Sequence, residues 1–300
     1  MYIVTQLEEY LLDCKIRNLS PKTIKSIKND CLLFFKFLEE NNITEIEKTN
    51  NLIIKQYILQ KKEMGNSDRY LNGVIKSLRG FYKYAKDNDY IPINPMLKIN
   101  WLKEEKCVIK TYSDADIKKI LKYYNNQGYL NIRNKTIVYM IIDTGIRCSE
   151  LCDLKFNMVS IERILIHGKG NKQRFVSCSP MLAKQLIKYR QAYDKYFKGK
   201  VVKYDNLFLS RTGLPLTVET VERIFKTIEN NTDIDDTVRC SPHTFRHYFA
   251  QAQLRNGLDV YSLSRLLGHE NISITQRYLQ GLNDENVLDM AVKFSPLMNL

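Results

Sequence analysis

No stretch of this sequence approaches the roughly 20 consecutive apolar residues that a membrane-spanning helix needs. The opening residues, Met1 to Glu9, lack the basic flank and apolar core of an export signal. None of the seven cysteines, at 14, 31, 107, 148, 152, 178 and 240, forms a CxxC pair. Cys148 and Cys152 are one helical turn apart, but no histidine stands near them in sequence, so structural zinc is not expected. Scattered, odd-numbered thiols fit a reducing compartment, and a bacterial cytoplasm is the expected location. The abundance of Lys, Asn and Ile points the same way, toward an AT-rich genome. Internal repeats and low-complexity tracts do not stand out. Acidic residues are in deficit: 33 Asp and Glu face 46 Lys and Arg, for a net charge of +13. Residues 1–100 hold 16 Lys and Arg against 12 Asp and Glu, and the remainder holds 30 against 21, so no single tail carries the excess. A polyanion partner is the natural reading, with solubility alone as the competing one.

At 300 residues with 44% hydrophobic content, the chain is long enough for two folded domains. Residues 1–97 read as a bundle of helices. Leu7, Tyr10, Leu11 and Cys14 form one helical stripe. Ser20-Pro21 reads as an N-cap followed by a proline at the first helical position. The helix it opens carries Ile24, Ile27, Cys31, Phe34, Phe35 and Leu38 at helical spacing. Further helices are expected near 51–62 and 68–87. Lys22, Lys25 and Lys28 decorate the second helix, and Arg69, Lys76, Arg79 and Lys83 the fourth. Singly these are ordinary solvated cations, but as a group they are candidate contacts to a DNA backbone. Residues 98–112 read as a basic linker that would let two DNA-binding halves wrap a duplex.

The second domain, residues 113–300, opens with a capping box at Ser113-Asp114-Ala115-Asp116. Its one clear β signal is a hairpin, with strands near 163–167 and 173–178 and a turn at Gly168-Lys169-Gly170-Asn171-Lys172. The rest reads as helix, so the expected class is mainly α with a small β-hairpin.

Chemistry concentrates in three motifs of that domain. Thr144-Gly145-Ile146-Arg147 turns sharply into a helix, and Glu150, three residues on, lies where it can orient the Arg147 guanidinium. Ser241-Pro242 opens a helix whose first turns carry His243 and Arg246, beside the positive end of the helix dipole. Leu266-Leu267-Gly268 stops a helix and leaves His269 just outside it. Ser273-Ile274-Thr275-Gln276 reads as another capping box that sets Tyr278 early in the next helix. Singly, each has an ordinary explanation: a surface Arg–Glu pair, a chance HxxR, a packed tyrosine among 19. Two of the four histidines nevertheless fall at motif positions, while His247 reads as a neighbour of the site and His167 as an exposed strand residue. Two arginines and two histidines can hold one phosphate. Arginine suits this best, because its planar fork donates two parallel hydrogen bonds and stays charged.

Arg147, a Gly-Lys-Gly hairpin, HxxR, LLGH and a tyrosine, in that order, resemble the catalytic domain of the tyrosine recombinase (phage integrase) family. The likeness extends to short two-domain Xer-type recombinases and mobile-element integrases, in which a helical core-binding domain comes first. The resemblance implies site-specific DNA cutting and rejoining through a 3′-phosphotyrosine, without metal or cofactor. It implies that Arg147 and Arg246 bind the phosphate and that His269 is a further donor to it. It implies that Lys169 protonates the departing 5′ oxygen, with Lys172 a nearby second candidate. It implies that His243 accepts the tyrosine proton and that Tyr278 is the nucleophile. The partner is a double-stranded recombination site, bound by a homotetramer on two sites. The apolar stripe Val287, Leu288, Ala291 and Phe294 would dock a tail helix into a neighbouring protomer. A type IB topoisomerase shares this chemistry and is the first alternative; relaxation of plasmid lacking any recombination site distinguishes it. The second is a DNA-binding protein with a degenerate site, against which all six catalytic positions stand filled.

Overall fold

The computed structural model describes residues 2–104, 109–168, 172–281, 288, 292 and 293. Lys169, Val287, Ala291 and Phe294 lie outside the described residues. The chain divides into two compact units, Met1–Lys106 and Cys107–Leu300. As the patterning predicts, the described residues are mainly α with a small two-stranded antiparallel sheet. Among the described residues, no helix is long and apolar enough to cross a membrane.

The first unit is built from α1 (Tyr2–Ile16), α2 (Pro21–Glu40), α3 (Asn51–Glu63) and α4 (Asp68–Asp87). Ser20 caps α2 by accepting from the Thr23 amide, with Pro21 at the first position. Asn50 and Ser67 cap α3 and α4 in the same way. Each cap satisfies an amide that the helix itself leaves unpaired. The core is aromatic: Phe34 meets Tyr57 and Tyr82 edge-on, and Phe35 meets Phe81. Buried Ser77 donates to the equally buried Asp30 carboxylate at 2.6 Å. Part of the expected linker is fastened to α4. The Asn72 side chain bonds the amide and carbonyl of Leu102, and Arg79 donates to the Ile99 carbonyl while stacking on Trp101.

The second unit comprises α5 (Asp114–Tyr123), α6 (Gly128–Thr144), α7 (Cys148–Asp153), β1 (Arg163–His167), β2 (Gln173–Ser177), α8 (Pro180–Phe197), α9 (Val218–Asn231), α10 (Pro242–Arg255), α11 (Val260–Leu267) and α12 (Ile272–Gln276). Helix α6 is central, with α8 and α10 packed against it. Its Ile137, Val138, Met140 and Ile141 join Leu182, Tyr189, Phe225 and Phe245 in one core. The strands pair Ile166 with Arg174 and Ile164 with Val176. Ile164, Ile166 and Val176 face inward, and Arg174 shares that face of β2.

The C-terminal motif differs from its sequence reading. Asn271, not Ser273, caps α12, because its Oδ1 accepts from the Ser273 amide at 2.9 Å. The helix is therefore two residues earlier and only five residues long. Tyr278 lies beyond it, in a 3₁₀ turn spanning Arg277–Gly281.

Candidate active site

Three chain turns bring the candidate residues together. Gly145 ends α6 in the left-handed region, at φ 61°, and Arg147 then becomes the N-cap of α7. A Cβ at Gly145 would lie 2.4 Å from Phe249 of α10, so the glycine serves both the turn and the close helix approach. Gly268 ends α11 at φ 63° and delivers His269. Ser241 and Pro242 open α10, setting His243 in its first turn and Arg246 and His247 in the next.

The two arginines dock on consecutive carbonyls. Arg246 donates through Nη2 to Leu267 at 2.7 Å, and Arg147 donates through Nη2 to Gly268 at 3.0 Å. Arg246 also donates through Nη1 to the Gly145 carbonyl at 2.5 Å and through Nη2 to His269 Nε2 at 3.1 Å. Arg246 is 2% exposed, whereas the Arg147 side chain keeps 38% of its surface open. Burial, then the charge of Arg147, lowers the Arg246 pKa, yet a guanidinium is basic enough to stay charged at neutral pH. The result is a fixed double cation with one open face.

Glu150 bonds the Arg147 amide at 2.9 Å and its guanidinium at 2.8 Å, as the spacing predicts. Its larger partner was not visible in any motif. Arg174 of β2 grips the same carboxylate with two hydrogen bonds, at 2.9 and 2.7 Å, and gives its Nε to the Leu266 carbonyl at 2.8 Å. The Arg174 and Glu150 side chains are 11% and 6% exposed. Burial raises the Glu150 pKa, but the bonds and charge of Arg174, then the bonds from Arg147, outweigh it and bring the value down to about 2. Gly268 leaves room for the Arg174 guanidinium, which a Cβ there would meet at 3.0 Å. The signal available in sequence was an arginine at an inward-facing position of an alternating strand.

His269 accepts from Arg246 through Nε2, so its proton sits on Nδ1, which donates to the Thr275 hydroxyl at 2.8 Å. Burial, then Arg246 and Arg147, lowers its pKa to about 4, so the ring is neutral at pH 7. His243 is solvent-exposed at its surface. Packing around the ring, then the charges of Arg246 and Arg147, depresses its pKa. Tyr278 is 3% exposed and packs with Phe249, Ala250, Leu254, Leu263 and Leu267. Burial raises its pKa, while Arg246, Arg277 and Arg147 pull it down. Its hydroxyl bonds His247 Nδ1 at 2.9 Å, whereas the His243 ring stands against His247.

The remaining candidates fall in several places. Lys172 pairs with Glu270 at 2.7 Å, beside His269. Lys22, Lys25, Lys28, Lys76 and Lys83 are exposed on the first unit, and Arg69 pairs loosely with Glu104 at 3.6 Å. Arg79 is committed internally to Ile99 and Trp101. His167 lies at the end of β1 and is not among the bonded groups of the site.

Comparison with known proteins gives concordant matches. A profile described as the phage integrase family matches residues 110–285, and one described as the phage integrase N-terminal SAM-like domain matches residues 4–89. The tyrosine recombinase XerC of Anoxybacillus flavithermus is 30% identical over 271 residues, covering 89% of this chain and 90% of the relative. The tyrosine recombinase XerD of Staphylococcus epidermidis is 29% identical over 301 residues, covering 97% and 99%. Among solved structures, the XerH site-specific recombinase bound to a palindromic difH substrate superposes with a TM-score of 0.73. It is 20% identical, with 97% of this chain and 84% of that one covered, a likeness of fold.

Proposed function

The chain belongs to the phage integrase family of tyrosine recombinases, and on that premise we propose how its own residues carry out the reaction. It is a site-specific DNA recombinase that acts through a tyrosine-linked strand. Arg147 and Arg246 bind the scissile phosphate, with His269 and His243 lining the same place. Tyr278 attacks phosphorus, forming an O–P bond as the bond to the 5′ oxygen breaks. Lys169 gives that oxygen its proton, since an alkoxide leaves poorly. The phosphotyrosine conserves the bond for rejoining to a second strand.

The observation that carries this reading is the docking of two guanidinium groups on the adjacent Leu267 and Gly268 carbonyls, with the buried Tyr278 within their field. In the unliganded site His269 Nε2 accepts from Arg246, so donation to a phosphate through Nε2 requires that nitrogen to gain a proton, which the negative charge of a bound phosphate favours. The first unit acts as the core-binding domain, supported by its exposed lysine row on α2 and its match to the family's N-terminal domain. Partnering is with duplex DNA in the bacterial cytoplasm. We infer four protomers on two sites, supported by the exposure of Leu288 in the tail.

The test is trapping on a nicked suicide substrate, followed by peptide mapping. The wild-type adduct should sit on Tyr278, and Tyr278→Phe should bind DNA but form none. Arg147→Ala and Arg246→Ala should each slow adduct formation on the order of 10²-fold, the scale for a lost transition-state donor. An adduct on another tyrosine overturns the assignment.

A further inference from the structure

We propose that His247, rather than His243, is the group that holds the Tyr278 hydroxyl and takes its proton as the tyrosine attacks. This rests on reading Tyr278 as the nucleophile.

The geometry is specific. His247 Nδ1 lies 2.9 Å from the Tyr278 hydroxyl oxygen, and the two rings are 5.4 Å apart, tilted by 56°. His243 packs on this neighbour: its ring meets that of His247 edge-on, with centroids 4.2 Å apart. One helical turn of α10 separates the two histidines, so a single face presents the order His243, His247, Tyr278. Arg246, adjacent to His247 in the chain, turns instead to the Gly145 and Leu267 carbonyls and His269. A rigid helix thus sets the nucleophile and the phosphate clamp in one frame, which is the arrangement that converts binding into reaction.

The chemistry agrees with the geometry. Tyr278 is buried, and its raised pKa keeps the hydroxyl protonated at neutral pH, so the proton must leave as the O–P bond forms. His247 is neutral: burial first, then the charges of His243, Arg246, Arg277 and His269, lower its pKa to about 4. With the ring hydrogen on Nε2, Nδ1 is free to accept. The Tyr278 O–H bond breaks, an N–H bond forms at Nδ1, and the tyrosine oxygen joins phosphorus. The 5′ oxygen departs with its electron pair and is protonated by the general acid. On rejoining, the attacking 5′ hydroxyl loses its proton to that same group, and Nδ1 returns its proton to the departing phenolate. The cations that make His247 a weak base in the empty site include the arginine that binds the phosphate. A bound phosphodiester offsets their charge and raises the basicity of Nδ1 when it is needed.

The experiment measures single-turnover cleavage of a suicide substrate by the full-length protein carrying either tyrosine or a fluorinated, more acidic tyrosine at 278. His247→Ala should slow cleavage by about 10²-fold or more with DNA binding intact, in the range of a lost proton acceptor. His247→Asn keeps a hydrogen-bonding group near Nδ1 and secures the fold, and it should be similarly slow. With fluorotyrosine the penalty for either variant should shrink to under about tenfold, because a more acidic phenol needs less help. Equal penalties with both nucleophiles would reduce His247 to a packing role and overturn the proposal. So would a shrinking penalty for His243→Ala alone, which would return the proton to His243. Mapping the wild-type adduct separates the two levels: an adduct away from Tyr278 sinks the nucleophile assignment itself, whereas one on Tyr278 with a fast His247→Ala enzyme sinks only this inference.

Discussion

Glu150 shows how much one buried carboxylate can organise. It neutralises Arg174 and orients Arg147, leaving the Arg147 fork partly open toward solvent. Removing one member of a buried pair costs up to about 3–5 kcal/mol when the other is left uncompensated, and here Arg147 keeps part of the compensation, so about half of that is expected. Arg174→Ala should therefore destabilise the second unit by about that much in urea unfolding. Glu150→Gln added to it should recover part of the loss; a double variant as unstable as the sum of its parts would deny the coupling. The pH dependence has a definite sign. The folded pKa, about 2, lies below the ordinary 4.5. The stabilisation from Glu150 is complete above about 4.5 and is lost as pH falls toward 2, amounting to about 3 kcal/mol. The stability gap between wild type and Glu150→Gln should shrink over that window.

At the level of elements, the site exists because helices end where they do. Helix α6 stops at Gly145, whose carbonyl then receives Arg246, and α10 passes so close that Phe249 occupies the space a side chain would need. Gly145→Ala imposes both a left-handed alanine and a clash with that ring. We expect a loss on the order of 1–3 kcal/mol and slower cleavage, because the α6–α10 spacing sets the Arg246 position. Phe249→Leu in the same chain should restore part of the stability, read by thermal unfolding. No recovery would assign the whole cost to the backbone. The 3₁₀ turn that carries Tyr278 depends on Asn271 capping a five-residue α12, a shorter anchor than the helix the sequence pattern suggested.

Across the whole molecule, the net charge of +13 has both structural and solvent-facing members. Lys22, Lys25 and Lys28 are exposed on α2, while Arg79 is spent on Ile99 and Trp101. Each lysine that meets a DNA phosphate contributes about one unit to the salt dependence of binding. Replacing all three by Ala should lower the slope of log affinity against log salt by up to about three, with the fold unchanged. Arg79→Ala should instead lower the stability of the first unit and leave the slope nearly as it was. A full unit of slope lost with Arg79 would show that it leaves its internal partners to meet DNA. Stability should also fall in mild acid. His247 and His269 have folded pKa values of about 4, below the unfolded 6.5, so the unfolded chain takes up protons first. Their contribution is complete above about 6.5 and is lost toward 4, at on the order of 1 kcal/mol per pH unit for each. His247→Gln should flatten that decline; an unchanged slope would mean the ring is charged in the folded state.

What the sequence by itself determined was local. Caps at Ser20, Ser113 and Ser241, stops at Gly145 and Gly268, and a strand–turn–strand pattern around 163–178 each depend on a few neighbouring residues, and those elements stand where the patterns place them. The ordered spacing of Arg147, HxxR, LLGH and Tyr278 identified the family for the same reason: the chemistry is written in short motifs. Only the tertiary structure decided which groups meet. Arg174 reaches Glu150 across 24 residues, and His247 reaches Tyr278 across 31, and neither distance has a local signature. The cap at Asn271 rather than Ser273 was a competition between two adequate side chains. Tyr278 packs against α10 and α11 in a buried cluster, a contact that no local pattern around Asn271 or Ser273 encodes.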